Sequence, residues 1–175
     1  MAQFHRPAPD EYAPYYGRYI SLTPDGDLAV TMGNQIPEIR ATFGSLTEAR
    51  AGSAYAPGKW TIKEVLGHLI DTERVFCYRA VSIARGDPAP LPSYDQDIWV
   101  RAAHSSGRPM PSLVDEWIAV RMATIAFVEG APEDAPARRG IASDNPASVR
   151  ALLYILPGHV NHHFQSLRAL YSLEP

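Results

Sequence analysis

The chain has almost no cysteine, since Cys77 stands alone among 175 residues. One cysteine cannot form an internal disulfide, so the sequence carries no sign of an oxidising compartment. No apolar run approaches the ~20 residues that cross a bilayer. The N-terminus, from Met1 to Pro7, lacks the basic head and apolar stretch of a signal peptide. We therefore expect a cytoplasmic protein that does not insert into a membrane.

Charge of one sign is also scarce. Lys and Arg number 16 against 19 Asp and Glu, which leaves a net charge of −3. Non-specific binding to nucleic acid or to an anionic membrane needs an excess of basic residues, so neither is expected as a partner. The composition is 46% hydrophobic and 20% charged, which is enough for a packed core. This length suits one domain, which we predict over residues 1–175.

No alternating strand pattern of useful length is present, whereas four segments carry apolar residues every three or four positions, the spacing of one helical face. The first helix is predicted to follow Thr23-Pro24 and to be kinked by Pro37. The second is predicted to begin at a capping box formed by Thr61 and Glu64 and to end at Gly86.

The third helix is predicted to start near Ser112 and to stop at Gly130. The fourth is predicted to follow Asn145-Pro146 and to reach about Tyr171, with a bend at Pro157. Four long amphipathic helices in one domain predict an all-α fold, a four-helix bundle.

Two further segments lie outside these helices. Residues 1–22 form an arm rich in tyrosine and proline without a clear period, which we interpret as an irregular strap over the bundle. Residues 87–110 are too long for a simple turn between the second and third helices. This long loop is predicted to contain a short helix or to form a lid, and it carries Asp95, Asp97, Trp99 and His104.

Histidines are the most informative residues of the chain. His159 and His163 lie one turn apart, so they share a helical face, and His162 is turned about 100° away. The shared face also carries four leucines, Leu152, Leu156, Leu167 and Leu170. Two imidazoles on a buried face are costly unless their nitrogens are satisfied, which a divalent metal would do.

Tight metal binding needs at least a third ligand. His68 in the second helix is the first candidate, because antiparallel packing can bring it opposite His159 and His163. His104 in the long loop competes for the role, and His5 in the arm is expected to be exposed. A pair of hydrogen-bonded core histidines is the alternative to a metal site, and spacing alone does not choose between them.

Three segments resemble motifs of the DinB/YfiT-like superfamily. Residues Gly58–Arg74 contain a tryptophan, a threonine cap, a histidine and an Asp-Thr-Glu continuation, similar to the second-helix motif of that family. Residues Gly158–Leu167 are similar to its other histidine motif, and Tyr94–Val100 resembles a loop segment of one branch. The resemblance spans roughly residues 25–172.

This resemblance implies a four-helix bundle that binds a divalent metal through His68, His159 and His163. It implies nickel or zinc as the metal, and imidazole ligands suit both. Members of the family include metal-dependent hydrolases and enzymes that use low-molecular-weight thiols, so a small-molecule substrate is expected. A homodimer is expected from the resemblance and from the tyrosine-rich arm.

No general base is evident, and the zincin motif H-E-x-x-H is absent. Glu73 lies within the apolar stripe of the second helix, and we interpret it as a member of a helix-end or buried ion pair, with Arg74 or with Arg79 of another copy. The alternative is that it orients a ligand histidine. Asp71 and Asp95 are rival carboxylates, which are solvated in most proteins.

Soft and aromatic residues add little to the prediction. Cys77 is interpreted as small apolar filling rather than as a metal ligand. Trp60, Trp99 and Trp117 are interpreted as packing residues rather than as a substrate cage. The sequence thus supports a metal-dependent hydrolase or thiol-dependent transferase, and the alternative is a non-catalytic metal-binding bundle with a structural or sensing role.

Overall fold

A computed structural model describes residues 2–173. Four long helices dominate it: α2 (Leu28–Gly44), α4 (Ile62–Ala84), α6 (Met110–Glu129) and α7 (Val149–Tyr171). Three shorter helices are α1 (Gly17–Ile20), α3 (Glu48–Ala51) and α5 (Gln96–Ala103). Among the described residues, none of the helices has the length and apolar character needed to cross a membrane.

The long helices form a closed ring. Helix α4 packs against α6 and α7, and α2 packs against α6 and, less extensively, against α7. The predicted four-helix bundle is therefore confirmed. Helices α2 and α7 continue through their internal prolines, Pro37 and Pro157.

The predicted start of α4 is confirmed, and that of α2 is wrong. At α4, Thr61 accepts a hydrogen bond from the backbone N–H of Glu64, whose carboxylate accepts one from the backbone N–H of Thr61. Helix α2 begins only at Leu28, because Asp27 provides the cap. Thr23 is buried instead, and its hydroxyl donates to the carbonyl of Tyr154.

The start of α6 lies close to the prediction, whereas the start of α7 differs from it. Helix α6 begins at Met110, two residues before Ser112. Asn145 and Pro146 do not cap α7, which begins under the Ser148 cap. They lie in strand β2 (Asn145–Ser148), which pairs antiparallel with β1 (Arg139–Ala142). The absence of a strand pattern was misleading here, since four-residue strands are too short to show a period.

The N-terminal arm is irregular, as predicted, except for two short 3₁₀ turns and α1. It lies against α7, where Glu11 binds the guanidinium of Arg150. Gly158 permits the close approach of α1 to α7, because a Cβ atom there would lie 1.8 Å from the carbonyl oxygen of Tyr19. The arm is therefore seated on the turn of α7 that carries His159.

The long loop contains a helix, as predicted. Helix α5 is capped by Asp95, whose carboxylate accepts from the backbone N–H groups of Asp97 and Ile98. Helix α5 packs against α4. Tyr94, just before the cap, stacks on Trp99 with ring centroids 4.8 Å apart.

The apolar core is divided into two clusters along the bundle axis. One includes Phe76 of α4, Ile125 of α6 and Leu156 of α7, and the other includes Leu69, Trp117 and Val160 of the same helices. A layer of buried polar residues lies between the clusters, with members on all four long helices: Gln35, His68, Thr72, Glu73, Arg121 and His159. The candidate site occupies one side of this layer.

Candidate metal centre

Helices α4 and α7 bring three histidines together, defined here as the histidine cluster: His68, His159 and His163. The Nε2 atom of His159 lies 3.2 Å from that of His68 and 3.1 Å from that of His163. One potential ligand atom from each residue lies within 4.8 Å of the others. The two α7 members share a face, and the strong packing of α4 on α7 places His68 opposite them.

Burial favours neutral imidazoles in this cluster. His68 and His159 are only 3% and 6% exposed. Desolvation lowers the pKa of His68 to about 4. Desolvation, reinforced by His68 and His162, lowers the pKa of His163 to about 3. Desolvation and the neighbouring imidazoles also hold the pKa of His159 well below its usual range. Near neutral pH, all three rings keep a lone pair available for a ligand.

Neighbouring side chains orient and shield these rings. The Thr72 hydroxyl lies 3.5 Å from Nδ1 of His68 and 2.7 Å from the hydroxyl of Tyr94. The ring centroids of Trp60 and His68 lie 4.9 Å apart, and those of Tyr19 and His159 lie 5.1 Å apart. Trp60 therefore borders the centre, although sequence analysis treated it as a packing residue only.

The other histidines lie outside the cluster. His162 is half-buried beside Tyr19 but is not part of the group. His104, the rival third candidate, is exposed after the end of α5 in a left-handed conformation. His5 is exposed, as predicted, and its ring contacts the Gln3 side chain.

Glu73 forms a buried ion pair, as interpreted, but its partner is neither Arg74 nor Arg79. Both of its carboxylate oxygens accept hydrogen bonds of 2.7 Å from Arg121 of α6. Arg121 also donates to Gln35 of α2 at 2.7 Å. These three residues, defined here as the arginine cluster, belong to the same polar layer as His68 and His159. Sequence analysis missed Gln35 and Arg121, although both fall at helical spacing between buried apolar residues.

The remaining candidates have structural surroundings. Asp71 is partly buried, which raises the pKa of its carboxyl, and Asp95 caps α5. Cys77 is partly buried, and burial raises the pKa of its thiol. Trp117 is fully buried, whereas Trp99 is 42% exposed. None of these residues belongs to the group of potential ligands found in the described part of the chain.

Two cavities reach the histidine cluster from different sides. A cavity of about 190 Å³ borders His68 and His159, and its polar wall consists of Tyr15, Tyr16, Tyr19, Thr72, Tyr94 and Gln96. A wider cavity of about 700 Å³ reaches His163 beside Trp60 and Tyr171. Sequence analysis noted the tyrosines of the arm and the Tyr94 segment, but no local sequence pattern predicted that they line one cavity with His159.

The sequence matches the family model of the DinB superfamily over residues 34–167. The chain belongs to the DinB superfamily. This assignment agrees with the resemblance found in the two histidine motifs. Both motifs fall within the matched region, on α4 and α7. No curated protein matches the chain.

Two solved structures share the fold of this DinB superfamily member. YfiT from Bacillus subtilis, described as a probable metal-dependent hydrolase with an unusual four-helix bundle topology, superposes with a TM-score of 0.72 at 14% identity. That match covers 96% of this chain and 92% of YfiT. A mycothiol-dependent maleylpyruvate isomerase superposes with a TM-score of 0.65 at 13% identity, over 78% of this chain and 57% of the isomerase. At these identities the likeness establishes the fold.

Proposed function

We propose that His68, His159 and His163 hold one divalent metal ion, nickel or zinc, in an enzyme that acts on a small molecule. The reaction is hydrolysis or transfer that uses a low-molecular-weight thiol. The observation that carries this proposal is that one ring nitrogen each of His68, His159 and His163 lies within 4.8 Å of the others, next to a cavity. Membership of the DinB superfamily supports it.

Hydrogen bonding cannot satisfy this cluster without a ligand. The Nε2 atom of a neutral imidazole either donates one hydrogen bond or accepts one. The Nε2 atom of His159 contacts two other Nε2 atoms, so only one of its contacts can be a hydrogen bond. A tetrahedral metal with nitrogen ligands at ~2.0–2.1 Å separates those nitrogens by about 3.3 Å. The observed distances of 3.1 and 3.2 Å fit that geometry.

The donor set favours an open site. Structural zinc sites are closed by four protein ligands, whereas catalytic sites have three and leave a position free. In residues 2–173 the group of potential ligands contains the three histidines and no fourth His, Cys, Asp or Glu. A divalent ion held there would act as a Lewis acid toward a substrate oxygen or thiol.

The surrounding residues have defined tasks in this proposal. Ligation through Nε2 puts the proton of His68 on Nδ1, which donates to the Thr72 hydroxyl and holds the ring in place. The rings of Trp60 and Tyr19 cover two of the imidazoles and limit the access of water. The cavity beside His68 and His159 admits the substrate.

The two similar structures support the two reaction classes. YfiT is described as a probable metal-dependent hydrolase, and the isomerase depends on mycothiol, which is a low-molecular-weight thiol. The two structures are only 14% and 13% identical in sequence to this chain, so the choice between the two reaction classes requires an activity measurement.

The decisive experiment compares the metal content of the wild-type protein with that of single alanine variants. We expect near-stoichiometric nickel or zinc in the wild type and its loss in His68→Ala, His159→Ala and His163→Ala. His162→Ala and His104→Ala are matched controls that should retain the metal. The site is wrong if the wild type takes up no metal after refolding with either ion, or if the controls lose it equally.

A non-catalytic metal bundle is the second candidate, and it is favoured by the way the histidines link α4 to α7. In that case chelation would lower the melting temperature strongly and no ester, amide or thiol substrate would be turned over. Turnover by the metal-loaded protein that is lost in His159→Ala would exclude it. We also propose a homodimer, and a light-scattering mass near 19.2 kDa, that of one chain, would contradict it.

A further inference from the structure

The smaller cavity at the histidine cluster has a wall of hydroxyl groups and no carboxylate. Four of its lining residues are tyrosines from the arm and from the start of the long loop, and Thr72 of α4 adds a fifth hydroxyl. No Asp or Glu lines it within residues 2–173. The wall therefore offers hydrogen-bond donors and contains no group of fixed negative charge.

Counting hydroxyl hydrogens shows that donors are left over. Tyr15 and Tyr19 contact each other through their oxygens at 3.2 Å, and so do Thr72 and Tyr94 at 2.7 Å. Each pair holds two hydroxyl hydrogens, but its mutual contact uses only one. One hydrogen of each pair remains for a partner with lone pairs. A ligand with acceptor oxygens fits this arrangement, and a donor-only ligand does not.

Two arginines lie next to aromatic residues of this cavity wall. The guanidinium of Arg18 lies 3.7 Å from the centroid of the Tyr15 ring. Arg79 is 3% exposed and lies over Phe76, a residue of the cavity wall. Its guanidinium donates to Pro92 and Ser143, which are both neutral partners. Among the described residues, neither arginine pairs with a carboxylate, so their charge is available to attract an anion.

The volume limits the size of the occupant. An apolar protein cavity of about 150 Å³ holds one benzene molecule. The 190 Å³ available here suits a group of about six to nine non-hydrogen atoms. Large peptides and nucleotides do not fit, whereas a small organic acid does.

We propose that this cavity is a subsite for the carboxylate of a small anionic substrate, which accepts hydrogen bonds from the Tyr15–Tyr19 and Thr72–Tyr94 pairs. This inference rests on the proposed function, because it deepens the description of the same site. It assigns Tyr94 and Tyr19 to substrate binding and Arg18 to attraction of the anion.

Calorimetric titration with three probes of similar size tests the assignment. Benzoate is anionic, benzamide is neutral and benzylamine is cationic. For the metal-loaded wild type we expect benzoate to bind at least tenfold more tightly than benzamide, and benzylamine more weakly still. Tyr94→Phe should weaken benzoate binding about tenfold, the loss of one charge-assisted hydrogen bond. Arg18→Gln should weaken it about threefold.

Tyr78→Phe is the matched control, because Tyr78 lies on α4 but is 61% exposed and outside the cavity. It should leave benzoate affinity unchanged. Far-ultraviolet circular dichroism and metal content verify that each variant is folded and loaded. Equal affinity for benzoate and benzamide, or a Tyr94→Phe variant that binds benzoate like the wild type, would overturn the subsite.

The same titrations separate this inference from the proposed function. If benzoate affinity is lost in His159→Ala but unchanged in Tyr94→Phe and Arg18→Gln, the metal alone holds the carboxylate. The subsite is then wrong and the metal site stands. If the wild type takes up no metal yet still prefers benzoate and depends on Tyr94, the subsite stands and the metal proposal fails.

Discussion

The arginine cluster and the histidine cluster occupy the same buried layer, but their hydrogen bonds are satisfied to different degrees. In the arginine cluster, Arg121 donates to both oxygens of Glu73 and to Gln35, all at 2.7 Å. The amide of Gln35 in turn donates to the carbonyl of Pro157 and to Asn161 on α7. In the histidine cluster, the Nε2 atom of His159 contacts those of His68 and His163, and only one of these two contacts can be a hydrogen bond.

This difference separates a structural cluster from the proposed metal centre. A buried charged network stabilises a fold only when its members are fully paired, and the arginine cluster meets that condition across α2, α4 and α6. The histidine cluster leaves lone pairs unused beside a cavity, at a cost that a bound ligand would remove. Complete pairing is thus found in the part of the layer that links the helices, and incomplete pairing is found at the proposed metal site.

The largest expected effect comes from breaking the arginine cluster. Arg121→Leu leaves the Glu73 carboxylate buried without its partner, and we expect the free energy of unfolding to fall by about 4 kcal/mol. Urea denaturation measures this loss. Replacing both residues, Glu73→Leu with Arg121→Leu, should restore a large part of the stability, because no isolated charge then remains buried. A double variant as unstable as the single one would show that the pairing is not the cause.

Replacing a residue of the histidine cluster should change the stability of the metal-free protein far less than breaking the arginine cluster does. Because His159 gains little from its neighbours, His159→Leu should change the stability of the metal-free protein by less than about 1 kcal/mol. In the wild type, saturating metal should add about 3–4 kcal/mol, as expected for free metal at several hundred times its dissociation constant. Thermal unfolding with metal and with a chelator measures both effects. A metal-dependent gain that persists in His159→Leu would contradict the assignment.

A third polar contact, between Glu11 of the arm and Arg150 of α7, extends the comparison to pH. Burial alone would raise the pKa of Glu11, but hydrogen bonds from Arg150, Ser148 and the backbone of Ala8, together with the positive charge of Arg150, outweigh it and lower the pKa to about 2. A lowered pKa in the folded state stabilises the fold above the usual value of 4.5, and that stabilisation is lost as the pH falls toward 2. We expect a loss of about 2–3 kcal/mol over this range, measured by denaturation at several pH values.

Glu11→Gln provides the control for that measurement. The variant should be less stable than the wild type at pH 6, and its stability should vary less between pH 4.5 and pH 2. An unchanged pH dependence would assign the effect to other carboxyl groups. Arg150 of α7 donates a hydrogen bond to the Glu11 carboxylate, so this contact is a further example of a paired buried carboxylate.

The smallest effect is expected at the edge of the histidine cluster. Thr72→Val removes the hydroxyl next to Nδ1 of His68, and we expect metal affinity to fall about tenfold, as when other outer partners of ligand histidines are removed. Competition with a chromogenic chelator measures the affinity. Thr124→Val is the matched control, because the Thr124 hydroxyl is also buried but donates to a backbone carbonyl of α6 and not to a histidine. Equal losses in both variants would contradict a role in orienting His68.

Much of the fold was predictable because it depends on neighbours in the sequence. Helical periodicity located four long helices, and the reciprocal bonds between Thr61 and Glu64 defined the start of α4. Predicted starts failed where another residue a few positions away provided a better cap, as Asp27 and Ser148 do. The β-hairpin was missed because strands of four residues form through their pairing with each other, and a short strand has no detectable period.

The sequence by itself determined that His159 and His163 share a face, because one helical turn separates them. Their meeting with His68, 91 residues from His159, was implied by family resemblance and is realised by the packing of α4 on α7. Only the tertiary structure decided that Arg121 pairs with Glu73, and that tyrosines of the arm and the long loop line one cavity. Local geometry sets which residues share a helical face, whereas the choice of a distant partner depends on how whole faces pack.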